Sequence, residues 1–181
     1  MDQGRVSVSY ARALLEWASG KNLAGEVYVQ SKSLFQFINN HPEFTHLLSS
    51  PVVLPSKKQK ICSTLLTEFA PHLTNLVVLT IKNGRENHLP NIMLMYQTLY
   101  RNQNGIAKVE IESASELSAE IIGAIKSFLE QKLSKSIEME HQIIPDLLGG
   151  FRLIIDDRLM DKSVKGELNL LRRKLLGIYK H

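Results

Sequence analysis

The spacing of the hydrophobic residues along this 181-residue chain first changes at Gly105. Before Gly105, apolar residues recur every three or four positions, which is the spacing of an amphipathic α-helix. After it, residues 107–112 alternate between apolar and polar, which is the period of a strand with one buried face. We therefore predict two domains, a helical domain over residues 1–104 and a smaller one over residues 105–181.

Six amphipathic helices are predicted before Gly105, separated by proline, glycine and polar residues. Pro42 and Pro55 are expected to start the third and fourth helices, because proline suits the first helical position. The sixth helix is the clearest, since its apolar face continues from Leu89 to Tyr100. Six helices with short connections predict a bundle.

The second domain is predicted to contain a strand, a helix and a second strand, followed by a hairpin and a last helix. Its first two strands could pair in parallel through a crossover that contains the helix. Ser118 is the expected N-cap of that helix, and its predicted buried residues are Ile121, Ile122, Ile125, Phe128, Leu129 and Leu133. The predicted fold class is therefore mainly α, with an α+β C-terminal domain.

The hairpin and the last helix occupy residues 150–175. Residues 151–155 alternate as a half-buried strand, residues 156–158 are turn formers, and Leu159 begins a short return strand. Ser163 is the predicted N-cap of the last helix. The buried stripe of this helix would consist of Val164, Leu168, Leu171 and Leu175.

Composition and charge argue against a nucleic-acid partner. The net charge is +4, and residues 1–104 carry all of this excess, with ten Lys and Arg against six Asp and Glu. Binding to several phosphates needs a concentrated basic patch. The one dense cluster is Lys57, Lys58 and Lys60, which we interpret as a solvated helix face.

No motif predicts a catalytic, cofactor or metal site. The sequence has no GxxxxGK[ST], GxGxxG or HExxH pattern, and no Cys and His at the spacing of metal ligands. Cys62 fits a small core residue. Asp156 and Asp157 fit a turn better than a carboxylate dyad. A binding protein without a small-molecule substrate is favoured; the alternatives are an enzyme with an unrecognised pocket and a basic adaptor for nucleic acid.

Several motifs resemble one family in order and spacing. In the first domain, these motifs are residues 10–14, 50–60, 83–85 and 89–90. Downstream, residues 148–164 resemble the C-terminal signature of the δ subunit of F-type ATP synthases, whose mitochondrial homologue is the oligomycin-sensitivity-conferring subunit. The signature residues are Gly149, Gly150, Phe151, Asp157, Leu159, Asp161, Ser163 and Val164.

The resemblance implies a non-catalytic stator subunit, present in one copy per complex. Its helical domain would bind N-terminal segments of ATP synthase α subunits, and its C-terminal domain would bind the b subunits of the stalk. The groove for the α subunit would lie between the first and fifth helices. The residues that the resemblance assigns to it are Tyr10, Ala11, Leu14, Leu76, Leu79 and Thr80, with the core of the bundle as the alternative location for each.

The resemblance also implies a peripheral position on the membrane. No run approaches the roughly 18 apolar residues that a membrane-spanning helix needs. The first residues lack the features of a signal or transit peptide, which favours a bacterial source. The expected location is the cytoplasmic face of the bacterial inner membrane. Whether the complex would translocate protons or sodium ions stays open.

Overall fold

Eight α-helices and four β-strands make up the part of the chain that the computed structural model describes, which is residues 3–67, 69–156 and 158–175. They form two compact units, Met1–Tyr100 and Arg101–His181. The helices are α1 Gln3–Gly20, α2 Ala24–Asn40, α3 Pro42–Ser49, α4 Pro55–Leu65, α5 Pro71–Lys82, α6 Leu89–Gln103, α7 Ala119–Leu133 and α8 Val164–Leu175. The strands are β1 Ile106–Ser113, β2 Ser136–Ile143, β3 Gly150–Ile155 and β4 Arg158–Ser163.

Proline starts three helices of the first unit. Pro42, Pro55 and Pro71 each stand at the beginning of a helix, where their fixed φ favours helical geometry and their missing N–H is not needed. The predicted starts at Pro42 and Pro55 are confirmed. The short 3-10 turn Glu86–His88 joins α5 to α6.

One apolar core joins the helices of the first unit. Its largest fully buried side chains include those of Leu34, Leu66, Leu73, Ile92 and Tyr96. The phenol of Tyr96 is not left unpaired, because its hydroxyl donates a hydrogen bond to the carbonyl of Ala24 at 3.0 Å. Buried polar groups are costly without such a partner.

The prediction that Lys57, Lys58 and Lys60 form a solvated helix face is wrong for Lys58. Its side chain is buried, and its ammonium group pairs with Glu86 at 2.8 Å and donates a hydrogen bond to the carbonyl of Leu48. Breaking such a pair would leave a buried charge unpaired. The ion pair therefore ties α4 to the 3-10 turn, and the hydrogen bond to Leu48 ties it to the end of α3. The supposed basic cluster is reduced to Lys57 and Lys60.

The second unit is built on a sheet with strand order β2-β1-β3-β4. β1 pairs with β2 in parallel, and β1–β3 and β3–β4 are antiparallel. The predicted parallel pair is confirmed, with α7 in the connection. Alternate residues of β1 are buried, as its sequence period indicates. The core of the second unit is small and consists of Ala107, Val109, Ile111, Leu129, Ile137 and Leu153.

The predicted buried face of α7 is wrong in part. Leu129 is buried and Ile125 packs against the core, whereas Ile121, Phe128 and Leu133 are exposed. Phe128 leaves 59% of its surface uncovered. The apolar stripe of α7 is wider than the strip that a helix presents to a sheet, so its margins stay open.

The predicted buried stripe of α8 is also wrong. Val164, Leu168 and Leu171 are 44%, 53% and 55% exposed, and the side chain of Leu175 lies outside the described residues. α8 packs near β4 and the 3-10 turn Pro145–Leu147, at one end of the unit. Because the described residues offer no second layer on its outer side, the apolar stripe faces outward.

Candidate protein-docking sites

A groove lies between α1 and α5 in the first unit and encloses about 320 Å³. Two facing rows of side chains form it, each at helical spacing i, i+3, i+4 and i+7, which places the four members of a row on one face. The row on α1 is Tyr10, Ala13, Leu14 and Trp17, and the row on α5 is His72, Asn75, Leu76 and Leu79.

The groove has a buried apolar floor and open apolar edges. Leu14 and Leu76 are buried and form the floor. Trp17 and Leu79 are 44% and 46% exposed, which is a large uncovered area for such side chains. A contiguous exposed apolar patch bordered by polar residues marks a binding surface in soluble proteins. We therefore refer to this surface as the α1–α5 groove.

The two ends of the α1–α5 groove differ in their polar contacts. Near one end, the amide of Asn83 donates a hydrogen bond to the hydroxyl of Tyr10 at 2.8 Å. Near the other, the imidazole of His72 lies against the indole of Trp17, with ring centroids 5.5 Å apart. The Nε2 atom of His72 is out of contact with solvent and has no hydrogen-bond partner among the described residues.

Four of the six residues assigned to this groove from the sequence line it, namely Tyr10, Leu14, Leu76 and Leu79. Ala11 and Thr80 do not, because both are fully buried in the first unit. Each follows a groove residue by one position, which rotates it about 100° around its helix and toward the core. The hydroxyl of Thr80 is satisfied locally by the carbonyl of Val77 at 2.7 Å.

Four lining residues were not predicted as groove residues, namely Ala13, Trp17, His72 and Asn75. Trp17 and His72 are the clearest cases. The signal that could have found them is their spacing, since Trp17 follows Tyr10 by seven positions and His72 precedes Leu79 by seven. Seven residues are two helical turns, so each pair lies on one face.

The second unit carries a larger groove, of about 940 Å³, between α7 and the β3–β4 hairpin. We call it the α7–hairpin groove. Its rim carries the charges of Lys132, Asp156 and Arg158, and the ammonium of Lys132 lies 5.6 Å from the ring centre of Phe128. Its apolar lining comes from Ala124, Ile125, Phe128, Leu129 and Leu133 on α7 and from Phe151, Leu153, Ile155, Leu159 and Met160 on the hairpin.

The two glycines of the C-terminal signature have a conformational role. Gly149 and Gly150 have φ angles of 150° and 71°, which L-amino acids with side chains rarely adopt. A Cβ atom at Gly150 would overlap the carbonyl oxygen of Lys162 on β4. The carbonyl of Gly149 accepts a hydrogen bond from the N–H of Val164 at 3.0 Å. The glycines thus let β3 start close against the end of β4.

Asp161 and Ser163 fix the passage from β4 into α8. The carboxylate of Asp161 accepts hydrogen bonds from the N–H and the hydroxyl of Ser163, at 2.9 and 2.7 Å, and one from the Nε of Arg152 at 3.1 Å. The hydrogen bonds from Ser163, assisted by Arg152, hold the pKa of Asp161 below its ordinary value. Ser163 Oγ in turn accepts from the N–H of Gly166 at 3.0 Å, so the predicted N-cap is confirmed.

The signature residues that the structure describes therefore lie either at the junction or on an apolar surface. Gly149, Gly150, Asp161 and Ser163 shape the junction of β3, β4 and α8. Phe151 and Leu159 line the α7–hairpin groove, and Val164 is part of the exposed stripe of α8. Asp157 lies outside the described residues.

Neither groove brings together a set of catalytic or metal-binding groups. Among the described residues, no cluster of three His, Cys, Asp or Glu could hold a metal ion. Cys62 is fully buried, and desolvation raises the pKa of its thiol to about 11, which disfavours the nucleophilic thiolate. None of the helices in the described ranges is long and apolar enough to cross a bilayer.

The comparison with known proteins agrees with the resemblance in the sequence. Residues 6–175 match the family described as ATP synthase delta (OSCP) subunit. The chain is 33% identical over 181 residues to ATP synthase subunit delta of Parabacteroides distasonis, which covers 97% of this chain and 98% of that relative. It is 30% identical over 172 residues to the subunit delta of Carboxydothermus hydrogenoformans, which covers 95% and 97%.

A solved structure shows the same fold. A chain of the Toxoplasma gondii mitochondrial ATP synthase hexamer superimposes with a TM-score of 0.71 at 24% identity, over 97% of this chain and 98% of that chain. The match along nearly the whole sequence and the shared fold lead to one assignment. The chain belongs to the ATP synthase delta (OSCP) family, the peripheral-stalk subunits of F-type ATP synthases.

Proposed function

We propose that this chain joins the catalytic head of an F-type ATP synthase to the b subunits of its peripheral stalk and carries no catalytic site of its own. The observation that carries the proposal is the pair of exposed apolar grooves, one on each unit. Residues 1–104, as a six-helix bundle, would bind the head. Residues 105–181 would bind the stalk.

The α1–α5 groove would take the N-terminal segment of an α subunit. An amphipathic helix docks in a groove through side chains at i, i+3, i+4 and i+7. The two rows that line this groove have the same spacing, so they can interdigitate with one apolar stripe. A single groove accepts a single segment, so each chain would bind one α subunit. We expect one copy of the chain per complex.

The α7–hairpin groove and the exposed stripe of α8 would take the b subunits. Phe128, Leu159 and Leu171 are large apolar side chains that stay more than half exposed. A unit with a core this small has a low margin of stability. Burying these side chains against a stalk helix would remove apolar surface from water, at about 25 cal/mol per Å².

The function of such a joint is mechanical. Rotation of the central shaft would turn the catalytic head with it unless a peripheral stalk opposed the torque. Exposed ion pairs contribute only about 0–1 kcal/mol each, so a joint that stays closed during turnover has to depend mainly on apolar burial. The chain would work at the cytoplasmic face of a bacterial inner membrane, as a peripheral subunit of a proton- or sodium-translocating complex.

Co-purification tests this proposal. A tagged chain expressed in its source organism is expected to recover α, β and b subunits from detergent extracts. The variant Val29→Glu is a suitable control, because Val29 is exposed on α2 and lines neither groove, and it should recover the same subunits. Recovery of none of the three subunits by the tagged wild-type chain would contradict the proposal.

A further inference from the structure

His72 gives the α1–α5 groove one polar atom that the described residues do not satisfy. Its Nε2 has neither solvent contact nor a hydrogen-bond partner among them. The other polar side chains of the lining differ in this respect: the hydroxyl of Tyr10 is bonded to Asn83, and Asn75 is exposed to water. Native proteins leave few buried polar atoms unpaired, and each such atom calls for an explanation.

The side chain next to His72 is uncovered on its outer side. Trp17 lies against the imidazole at a ring-centroid distance of 5.5 Å, with the two planes inclined by 42°. Nearly half of the tryptophan surface faces solvent, so the indole is covered on one side only. An occupant of the groove that turned the indole aside would reach His72 and leave the buried floor in place.

An occupant with a wholly apolar stripe would not use the polar atom that the described residues of this groove leave unpaired. It would cover Trp17 and Leu79, but it would leave Nε2 of His72 without a partner, as it is among the described residues of the free chain. A neutral imidazole nitrogen is either a donor or an acceptor, depending on the tautomer. A carboxamide or a hydroxyl can serve in both roles, so an occupant that carries one of these groups can pair with His72 in either tautomer.

We propose that His72 determines which helix the α1–α5 groove accepts. Nε2 forms a hydrogen bond with one Asn, Gln, Ser or Thr side chain that interrupts the apolar stripe of the docked α-subunit segment. This inference rests on the proposed function, because it takes the occupant to be that segment. It adds a specificity contact to a groove that otherwise recognises apolar surface alone.

Peptide binding to the full chain tests the inference. The probe is a synthetic peptide of about 25 residues from the N-terminus of the α subunit of the same organism, with each Asn, Gln, Ser and Thr replaced singly by alanine. Emission from Trp17, the one tryptophan of the sequence, reports binding. Each peptide is titrated into the wild-type chain, His72→Leu, His72→Gln and the control His46→Leu, which removes an exposed histidine of α3.

One alanine peptide is expected to bind the wild-type chain about tenfold more weakly than the unmodified peptide, in line with the loss of one hydrogen bond and the burial of its unpaired partner. The same replacement should have no effect on binding to His72→Leu. His72→Gln, which keeps a hydrogen-bonding side chain, should bind the unmodified peptide within about threefold of wild type, and His46→Leu should match wild type. Thermal melts of all variants show that each is folded.

Two results would overturn the inference, and they are distinguishable. In the first, the unmodified peptide binds, but every alanine replacement changes the affinity for His72→Leu as much as the affinity for the wild-type chain. The specificity contact is then wrong, while the docking groove stands. If the unmodified peptide does not bind the wild-type chain, the groove is not the α-subunit site and both proposals fail at this end of the chain.

Discussion

Replacing Gly150 with alanine is expected to lower the unfolding free energy of the second unit by about 3 kcal/mol or more. The φ of 71° disfavours any residue with a Cβ, and the added carbon would overlap the backbone carbonyl of Lys162, which cannot move without breaking the β3–β4 pairing. The loss is large for a unit with such a small core. Hydrogen exchange of the β1 amides in the full chain would measure it.

Gly123→Ala is the matched control for this change. Gly123 lies on α7, and a Cβ added there would meet nothing within 4 Å. Alanine in a helix interior is favoured over glycine by about 1 kcal/mol, so this variant should exchange more slowly than wild type. Equal exchange rates in Gly150→Ala and wild type would show that the glycine is not needed for the β3–β4 junction.

Leu79→Glu is expected to weaken binding to the catalytic head by about 100-fold or more. The side chain is nearly half exposed in the free chain, so the fold should tolerate glutamate at a cost near 0.5 kcal/mol. In the docked state the carboxylate would lie in an apolar contact without a partner, which costs several kcal/mol. Surface binding of the purified head to immobilised chain measures the change.

Leu94→Glu controls for the added charge. Leu94 is a leucine of similar exposure, 42%, on α6, and it does not line the α1–α5 groove. Its substitution should leave head affinity within about threefold of wild type. An equal loss of head affinity in Leu79→Glu and Leu94→Glu would mean that net charge, rather than the groove, controls association.

Local features of the second unit could be predicted from the sequence. Alternation over residues 107–112 predicted the buried face of β1, and two alternating runs separated by a helix predicted the parallel pair. Ser163 was recognisable as an N-cap because it precedes an amphipathic run. The buried face of β1 and the N-cap depend on neighbours within a few residues, so tertiary context adds little to them. The parallel pair joins residues 30 positions apart, and it was predictable because a strand, helix and strand in sequence favour one crossover.

The covering of apolar faces could not be predicted in the same way. An amphipathic stripe shows which side of a helix avoids water, but it does not show whether the same chain or another protein covers that side. The exposed margins of α7 and α8 were therefore predicted as core, and the buried residues Ala11 and Thr80 were predicted as groove. Lys58 was missed because its partner Glu86 lies 28 residues away.

The central claim is that the two units bind different partners through different grooves. Two full-length variants test it when each is measured against both partners, the purified catalytic head and a soluble b fragment. One is Leu79→Glu in the α1–α5 groove. The other is Phe128→Asp in the α7–hairpin groove, where a side chain that is 59% exposed can be replaced without opening the core.

Separate binding sites predict a reciprocal result. Leu79→Glu should bind the head about 100-fold more weakly and keep its affinity for the b fragment. Phe128→Asp should keep its affinity for the head and bind the b fragment about 100-fold more weakly. If each variant instead loses both affinities in step, the two units act as one binding surface, and the account of a joint with two independent ends is wrong.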